Sequence, residues 1–251
     1  RRMTQPDGLE PLFPRPLSGA DVPAPPPGFV PARASIIGET VSLVPLNAEE
    51  HGASMYEASH GSEDALRIWD YLAVGPWATE AAFKAALRDQ MANQAMIFYA
   101  VVPKDTGIAV GQISYLDIHP QNGVIEIGNI WFGPTLQKTK AATEALFLSL
   151  DYPMSELGYR RMQWRCNSLN AKSRAAAKRL GFRFEGIFYN HLIFKRKNRD
   201  TTWYSILDDE WPEVRKKLTD WLDIQNFDAD GNAKSSLAGA MAERIPSTRS
   251  A

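Results

Sequence analysis

Residues 124–151, VIEIGNIWFGPTLQKTKAATEALFLSLD, constrain the fold more than any other stretch of this chain. The segment from Val124 to Phe132 is mostly apolar with several β-branched residues, which predicts a largely buried strand. Gly133-Pro134 punctuates it. Beyond, Ala142, Ala145, Leu146 and Leu148 fall near helical spacing up to Asp151, and Thr139 or Thr143 can serve the first turn. A strand therefore delivers a loop, residues 135–140, to the start of a helix. The first N–H groups of a helix lack intrahelical acceptors, and the macrodipole adds partial positive charge. Such a corner suits a phosphate or pyrophosphate. Lys138 and Lys140 add formal charge there. The plainer alternative is an ordinary strand-to-helix turn with two solvated lysines.

The remaining pattern builds a mixed fold around that corner. Residues 36–46 alternate as a first strand, and Asn47 caps a helix running to about His60, its first turn suited by Glu49 and Glu50. Trp69, Tyr71 and Trp77 crowd the next connection, and residues 79–94 form a second amphipathic helix. Residues 96–102, 110–118 and 124–132 read as an antiparallel meander with turns at 103–107 and 120–123. Residues 161–166 form a strand that follows a helix crossover, so it should lie parallel to 124–132. Asn170 caps a helix over 171–180, which Gly181 stops. Residues 182–194 and 200–207 form a closing hairpin around a solvated tip at 195–199, and 210–222 is a last helix. The expected class is α/β (α+β): a mixed, mostly antiparallel sheet with a parallel central strand pair, flanked by helices.

The flanks read differently. Residues 1–33 are a Pro-rich arm, with Pro25-Pro26-Pro27 locally polyproline II. Leu12, Phe13, Phe29 and Val30 can pin it to a domain spanning 34–222. Residues 223–251 are expected as a flexible tail with at most a short helix near 236–243. Asp228-Ala229-Asp230-Gly231 is not a calcium loop, since its glycine comes too early and no glutamate closes it. The formal net charge of -1 gives no reason to expect nucleic acid. Cys166, the single cysteine, excludes an intrachain disulfide and a cysteine-rich metal site and fits a reducing, cytoplasmic setting. No apolar run is long enough to span a bilayer, and no metal site is expected.

Gln137-Lys138-Thr139-Lys140-Ala141-Ala142 resembles the pyrophosphate loop Q/R-x-x-G-x-G/A of the GNAT superfamily of acyl-CoA N-acyltransferases. The longer string IEIGNIWFGPTLQKTKAATEA resembles its RimJ/RimL-type branch, and NSLNAKSRAAAKRLGF resembles the superfamily's N-x-x-S…L-G-F element. Together the likeness covers roughly residues 36–222. Lys140 stands where most of the superfamily has glycine. A lysine fits there if its backbone is helical and its side chain points outward.

The resemblance implies an acetyl-CoA-dependent N-acetyltransferase working by direct transfer. Pantetheine would run beside Ile130, Trp131 and Phe132, with a main-chain N–H near Ile130 or Trp131 meeting the oxyanion. Gln137, Lys138, Thr139, Lys140, Ala141 and Ala142 would hold the pyrophosphate. Asn170 and Ser173 would contact pantetheine, and Arg174 or Lys178 the adenosine 3′-phosphate. Glu126 is the candidate base. A carboxylate in an apolar strand should be desolvated and its pKa raised, although an ion pair or an exposed sheet edge would also explain it. The superfamily's usual general acid, a tyrosine, is replaced by Ala177; Ser173, Tyr189 or water could substitute. Trp69, Tyr71 and Trp77 border the implied acceptor pocket, or simply form core. His119 and His191 read as surface or hydrogen-bonded residues. The acceptor implied is a small-molecule amine (an amino-acid or aminoacyl derivative) or a peptide N-terminus, and the protein a monomer or homodimer. A non-catalytic acyl-CoA-binding module is the rival reading.

Overall fold

The computed structural model describes Leu12, residues 15–22 and residues 30–244. The strand expected over 36–46 is a hairpin instead: β1 (Ile36–Ile37) pairs antiparallel with β2 (Val41–Pro45). The reason is tertiary. The buried Glu144 carboxylate accepts from the N–H groups of Glu39 and Thr40 and from the Thr40 hydroxyl, which pins the turn.

Asn47 caps α1 (Ala48–His60) by accepting from the N–H groups of Glu49 and Glu50. A short α2 (Glu63–Leu66) runs into a 3-10 turn, Arg67–Trp69, and Thr79 caps α3 (Glu80–Ala92). The meander follows as β3 (Ile97–Pro103), β4 (Gly111–His119) and β5 (Val124–Phe132). Then come α4 (Lys140–Asp151), β6 (Arg161–Asn167) and α5 (Ala171–Arg179). The hairpin β7 (Arg183–Phe194) and β8 (Lys197–Leu207), then α6 (Trp211–Leu222) and α7 (Leu237–Ala242), follow within the described residues. The eight strands form one sheet, ordered β1-β2-β3-β4-β5-β6-β8-β7. Every pair is antiparallel except β5–β6.

The sheet has unequal faces. On one, Ile125, Ile127, Met162, Trp164, Tyr204 and Ile206 meet residues of α4, α5, α6 and α7 in the main core. On the other, Phe98, Ala100 and Trp131 meet Met55, Phe83 and Leu87 of α1 and α3. That second core contains no residue of β6, β7 or β8 among the described residues, so half of the second face is left for other uses.

Two irregularities of β5 shape that half. The register Gln112↔Trp131 and Ser114↔Gly128 gives β5 an extra residue, with Asn129 at φ 49°. Such a bulge shifts the alternation of side chains. Ile125 and Ile127 therefore face the main core, while Trp131 joins Glu126's face. In addition, β5 and β6 pair only from Val124↔Arg161 to Glu126↔Gln163, although the strands run on to Phe132 and Asn167. Past Glu126 the parallel pair opens as a wedge.

Three further expectations need correction. The β7–β8 turn is only Lys195-Arg196, both left-handed (φ 49° and 64°), the geometry of a tight two-residue hairpin. Residues 197–199 therefore belong to the sheet rather than to a solvated tip. The expected flexible tail is packed as far as residue 244, because Leu237 and Met241 lie one turn apart and both enter the main core. Gly181 (φ 95°) permits this approach, since a Cβ there would sit 3.1 Å from Met241 Sδ and 3.0 Å from Val214 Cγ1. Finally, Leu12 and Val30 are exposed and pin nothing. The arm is tied by polar contacts, Arg15 to Asp209 at 2.6 Å and the Ala32 N–H to the Tyr152 hydroxyl at 3.1 Å. Phe13, Phe29 and Pro25-Pro26-Pro27 lie outside the described residues.

Candidate active site

The loop between β5 and α4 forms the anion corner. Leu136 is buried and anchors it, and Gln137 Nε2 donates to the Phe132 carbonyl at 2.8 Å. Lys138 is left-handed (φ 62°). Thr139 caps α4 by accepting from the Ala142 N–H, so the cap is Thr139 rather than Thr143. The N–H groups of Lys138, Lys140 and Ala141 meet no acceptor among the described residues. Lys140 is helical, as its place in the loop requires, but its side chain does not point to solvent. It turns aside, 3.7 Å from Glu39 and over the Phe227 ring, which leaves the helix start open. Three free donors at the positive end of a helix are what an anionic pyrophosphate needs.

On the other wall of the wedge, Asn170 caps α5 by accepting from the Ser173 N–H. Ser173 Oγ accepts from Trp164 Nε1 at 3.1 Å, which holds the hydroxyl at the first turn of α5 with its own proton available. Arg174 donates to the Ser168 carbonyl at 3.3 Å. Ala177 is fully buried.

Glu126 lies at the floor where the wedge begins. It is 1 % exposed. Arg165 forms an ion pair with it, Nε lying 3.0 Å from Oε1, and Arg165 Nη2 lies 3.0 Å from Asp117. In the ionised state Oε2 has no hydrogen-bond partner among the described residues. Burial pushes the Glu126 pKa up to about 8; Arg165 opposes this, and Asp117, near enough to share a proton, reinforces it. Of the readings open at the sequence level, an exposed sheet edge is therefore excluded. An ion pair exists, but it leaves one oxygen unused.

Around Glu126 stand residues that pattern reading missed. Arg199 is 8 % exposed, its Nε donates to Thr201 Oγ1, and its guanidinium lies over the Phe194 ring. Arg165 lies over Trp203, and His191 Nδ1 is 2.9 Å from Thr201 Oγ1. Burial and, after it, the neighbouring Arg165 and Arg199 lower the His191 pKa. His119 is exposed at the end of β4, and Cys166 is buried in the main core. A signal for Arg199 existed in the alternation of β8, but the misplaced hairpin tip hid it.

The rim comes from the α2–α3 connection. Trp69 is buried, with its indole N–H donating to the Ser59 carbonyl and its ring against Trp77 and Trp131. It is packed as core. Trp77 is half-buried beside it, and Tyr71 is 39 % exposed with its hydroxyl donating to the Leu169 carbonyl at 3.3 Å. Lys195 at the β7–β8 turn donates to the Trp69 carbonyl at 2.5 Å. These two ties join the connection to the β6–α5 loop and to the hairpin. A separate groove of about 390 Å³, between residues 32–37 and the end of α4, shares no residue with the Glu126 cluster.

The acetyltransferase (GNAT) domain family matches residues 41–183. The chain belongs to the GNAT acetyltransferase family. Its structure resembles that of a GCN5-related N-acetyltransferase from Brucella melitensis at TM-score 0.82 and 43 % identity, over 84 % of this chain and 96 % of that one. An uncharacterized N-acetyltransferase of Bacillus subtilis (strain 168), YnaD, is 28 % identical over 113 residues, which is 45 % of this chain. The match spans 65 % of the length of that curated relative. RimL, the ribosomal L7/L12 alpha-N-protein acetyltransferase, matches at TM-score 0.60 and 16 % identity over 69 % of this chain and 93 % of that one, a likeness of fold alone. The GNAT fold with one parallel strand pair is as expected. Among the described residues no group of side chains could hold a metal ion, and no helix is long and apolar enough to cross a membrane.

Proposed function

We propose that this GNAT acetyltransferase transfers acetyl from acetyl-CoA directly to the amine of a small molecule, an amino-acid or aminoacyl derivative, with Glu126 as general base. The observation that carries this is Glu126 itself: buried, raised toward neutrality, and with Oε2 unpartnered on the face away from α4. An amine that is cationic at neutral pH must lose a proton before attack, and a base with a pKa near the working pH does this best.

The residues fit the donor. The N–H groups of Lys138, Lys140 and Ala141 would take pyrophosphate, with Gln137, Thr139 and Ala142 shaping the turn. The unpaired stretch of β5 offers Ile130, Trp131 and Phe132 backbone to pantetheine, with an N–H near Ile130 or Trp131 for the developing oxyanion. Asn170 and Ser173 would line the facing wall, and Arg174 would meet the 3′-phosphate. Acetyl-CoA supplies the activated thioester. Ser173 is our first candidate to return a proton to the leaving thiolate, given alanine at 177, with Tyr189 or water as the alternatives. Tyr71 and Trp77 would border the acceptor, with Trp69 behind them. We place the enzyme in the cytoplasm.

Free-thiol release from acetyl-CoA across small amines and N-terminal peptides tests the reading, with acetyl-CoA affinity measured alongside. Turnover of small amines supports it. Turnover of peptides alone moves the acceptor to a protein N-terminus, the RimJ/RimL-like alternative. Tight acetyl-CoA binding without turnover of any amine favours the non-catalytic module.

A further inference from the structure

Beyond Glu126, the same face holds a second group without a partner. Arg199 is nine-tenths buried, yet no carboxylate among the described residues lies within ion-pair distance of it. Its only hydrogen bond there is from Nε to Thr201 Oγ1 at 3.2 Å. Both terminal nitrogens are without an acceptor among the described residues. Thr201 Oγ1 also meets His191, so the hydroxyl is fixed from two sides and holds the guanidinium in one orientation. The Phe194 ring, 4.7 Å from the guanidinium carbon, covers one of its faces. Arg165, the neighbouring cation, is already committed to Glu126 and Asp117.

Keeping a largely buried charge without a partner is unfavourable, so a buried arginine normally carries a carboxylate with it. An arginine oriented through Nε and open at both terminal nitrogens presents the fork that binds a planar anion with two bonds. On the same sheet face, Glu126 Oε2 is a buried acceptor without a donor. Each of the two charges shifts the other's titration, which places them in one electrostatic neighbourhood. The two unsatisfied groups have opposite sense, one seeking an N–H and the other an anion.

We propose that Arg199 is a specificity residue that binds a carboxylate on the acceptor, so that the substrate is an amine carrying its own free acid group. This rests on the transferase reading above, and it narrows the acceptor class. The acceptor's ammonium would face Glu126, its carboxylate would face Arg199, and Arg165 would separate the two while neutralising Asp117. A neutral amide in place of the carboxylate would offer the guanidinium no negative charge to pair with.

The test compares a panel of free amino acids with their C-terminal carboxamides, on the full chain. Binding is measured by calorimetry in the presence of CoA, and turnover by thiol release with acetyl-CoA. The expected result is that at least one acid is preferred over its carboxamide by roughly tenfold or more, the scale on which sites with buried polar groups reject ligands that leave them unpaired. Arg199→Met should erase that preference through KM rather than kcat, and Arg199→Lys should restore part of it. Circular dichroism confirms that each variant is folded, and the wild-type comparison stands even if one is not. Equal binding of acids and carboxamides across the panel overturns the proposal, as does an undiminished preference in folded Arg199→Met. If carboxamides are acetylated as well as acids, the transferase reading stands and the carboxylate site falls. If acids bind preferentially but none is acetylated, the carboxylate site stands and the small-amine transferase reading falls.

Discussion

Among the described residues two buried carboxylate–arginine clusters stand out, and they have opposite designs. At the C-terminal corner, Glu210 is 3 % exposed and meets Arg183, Arg244 at 3.4 Å and Arg15 at 4.0 Å. Its second oxygen accepts from the Leu207 N–H at 3.1 Å. Arg244 in turn donates to the Gly181 carbonyl. The cluster thus ties the arm, the start of β7, the end of β8 and the segment after α7 to one residue. At the floor of the wedge, Glu126 is similarly buried but has one cation, Arg165, on one oxygen, Asp117 near enough to share its proton, and no donor to Oε2 among the described residues. Burial alone therefore does not mark a catalytic carboxylate. What separates the two is how the charge is compensated: a carboxylate ringed by three arginines is a brace, and one with an oxygen that no cation reaches among the described residues can accept a proton.

The comparison can be broken at either end. Glu126→Gln should lower kcat by roughly 10²–10⁴-fold, the range for losing a general base, while acetyl-CoA affinity holds. Equal turnover by the variant would remove Glu126 from catalysis. Glu210→Gln should do the reverse, destabilising the fold by about 3–5 kcal/mol in urea unfolding because it leaves buried arginines uncompensated, with kcat per folded molecule unchanged. A variant that unfolds at the wild-type midpoint would show that the corner is no brace.

Proton linkage sharpens the contrast. With the Glu126 pKa near 8, kcat/KM should climb by roughly tenfold per pH unit below that value and level off above it. Stability should move the other way. The folded state holds this proton more tightly than the unfolded chain, so stability falls as pH rises from about 4.5 to about 8. Glu126→Gln should therefore gain most over wild type in urea midpoint at pH 9 and least at pH 5. A constant difference would mean that the carboxylate is not held protonated by the fold. The smallest effect belongs to the arm: Arg15→Ala removes a partly exposed pair and should cost at most about 1 kcal/mol. A larger loss would make Arg15 a full member of the Glu210 brace.

Much of this was legible in the sequence. The strand–loop–helix from Val124 to Asp151, the caps at Asn47 and Asn170, the meander and the parallel pair all follow from local chemistry, because periodicity and capping act within a few residues of one another. Glu126 stood out as a charge in an apolar strand. The errors share a cause. The β1–β2 turn is made by Glu144, a hundred residues downstream, and the tail is held by Leu237 and Met241 against a core assembled earlier in the chain. Lys195-Arg196 carries neither glycine nor asparagine to announce a left-handed turn, so nothing local marks Arg199 as a buried strand residue.

By itself, then, the sequence determined the order of elements, the family likeness and the anion corner, since each rests on short-range spacing. Tertiary structure alone decided which buried charges are satisfied. Arg165, Asp117 and Arg199 come from three different strands and reach Glu126 only because β4, β5, β6 and β8 lie in one sheet. An unspent lone pair is a property of that assembled neighbourhood, and no local pattern encodes it.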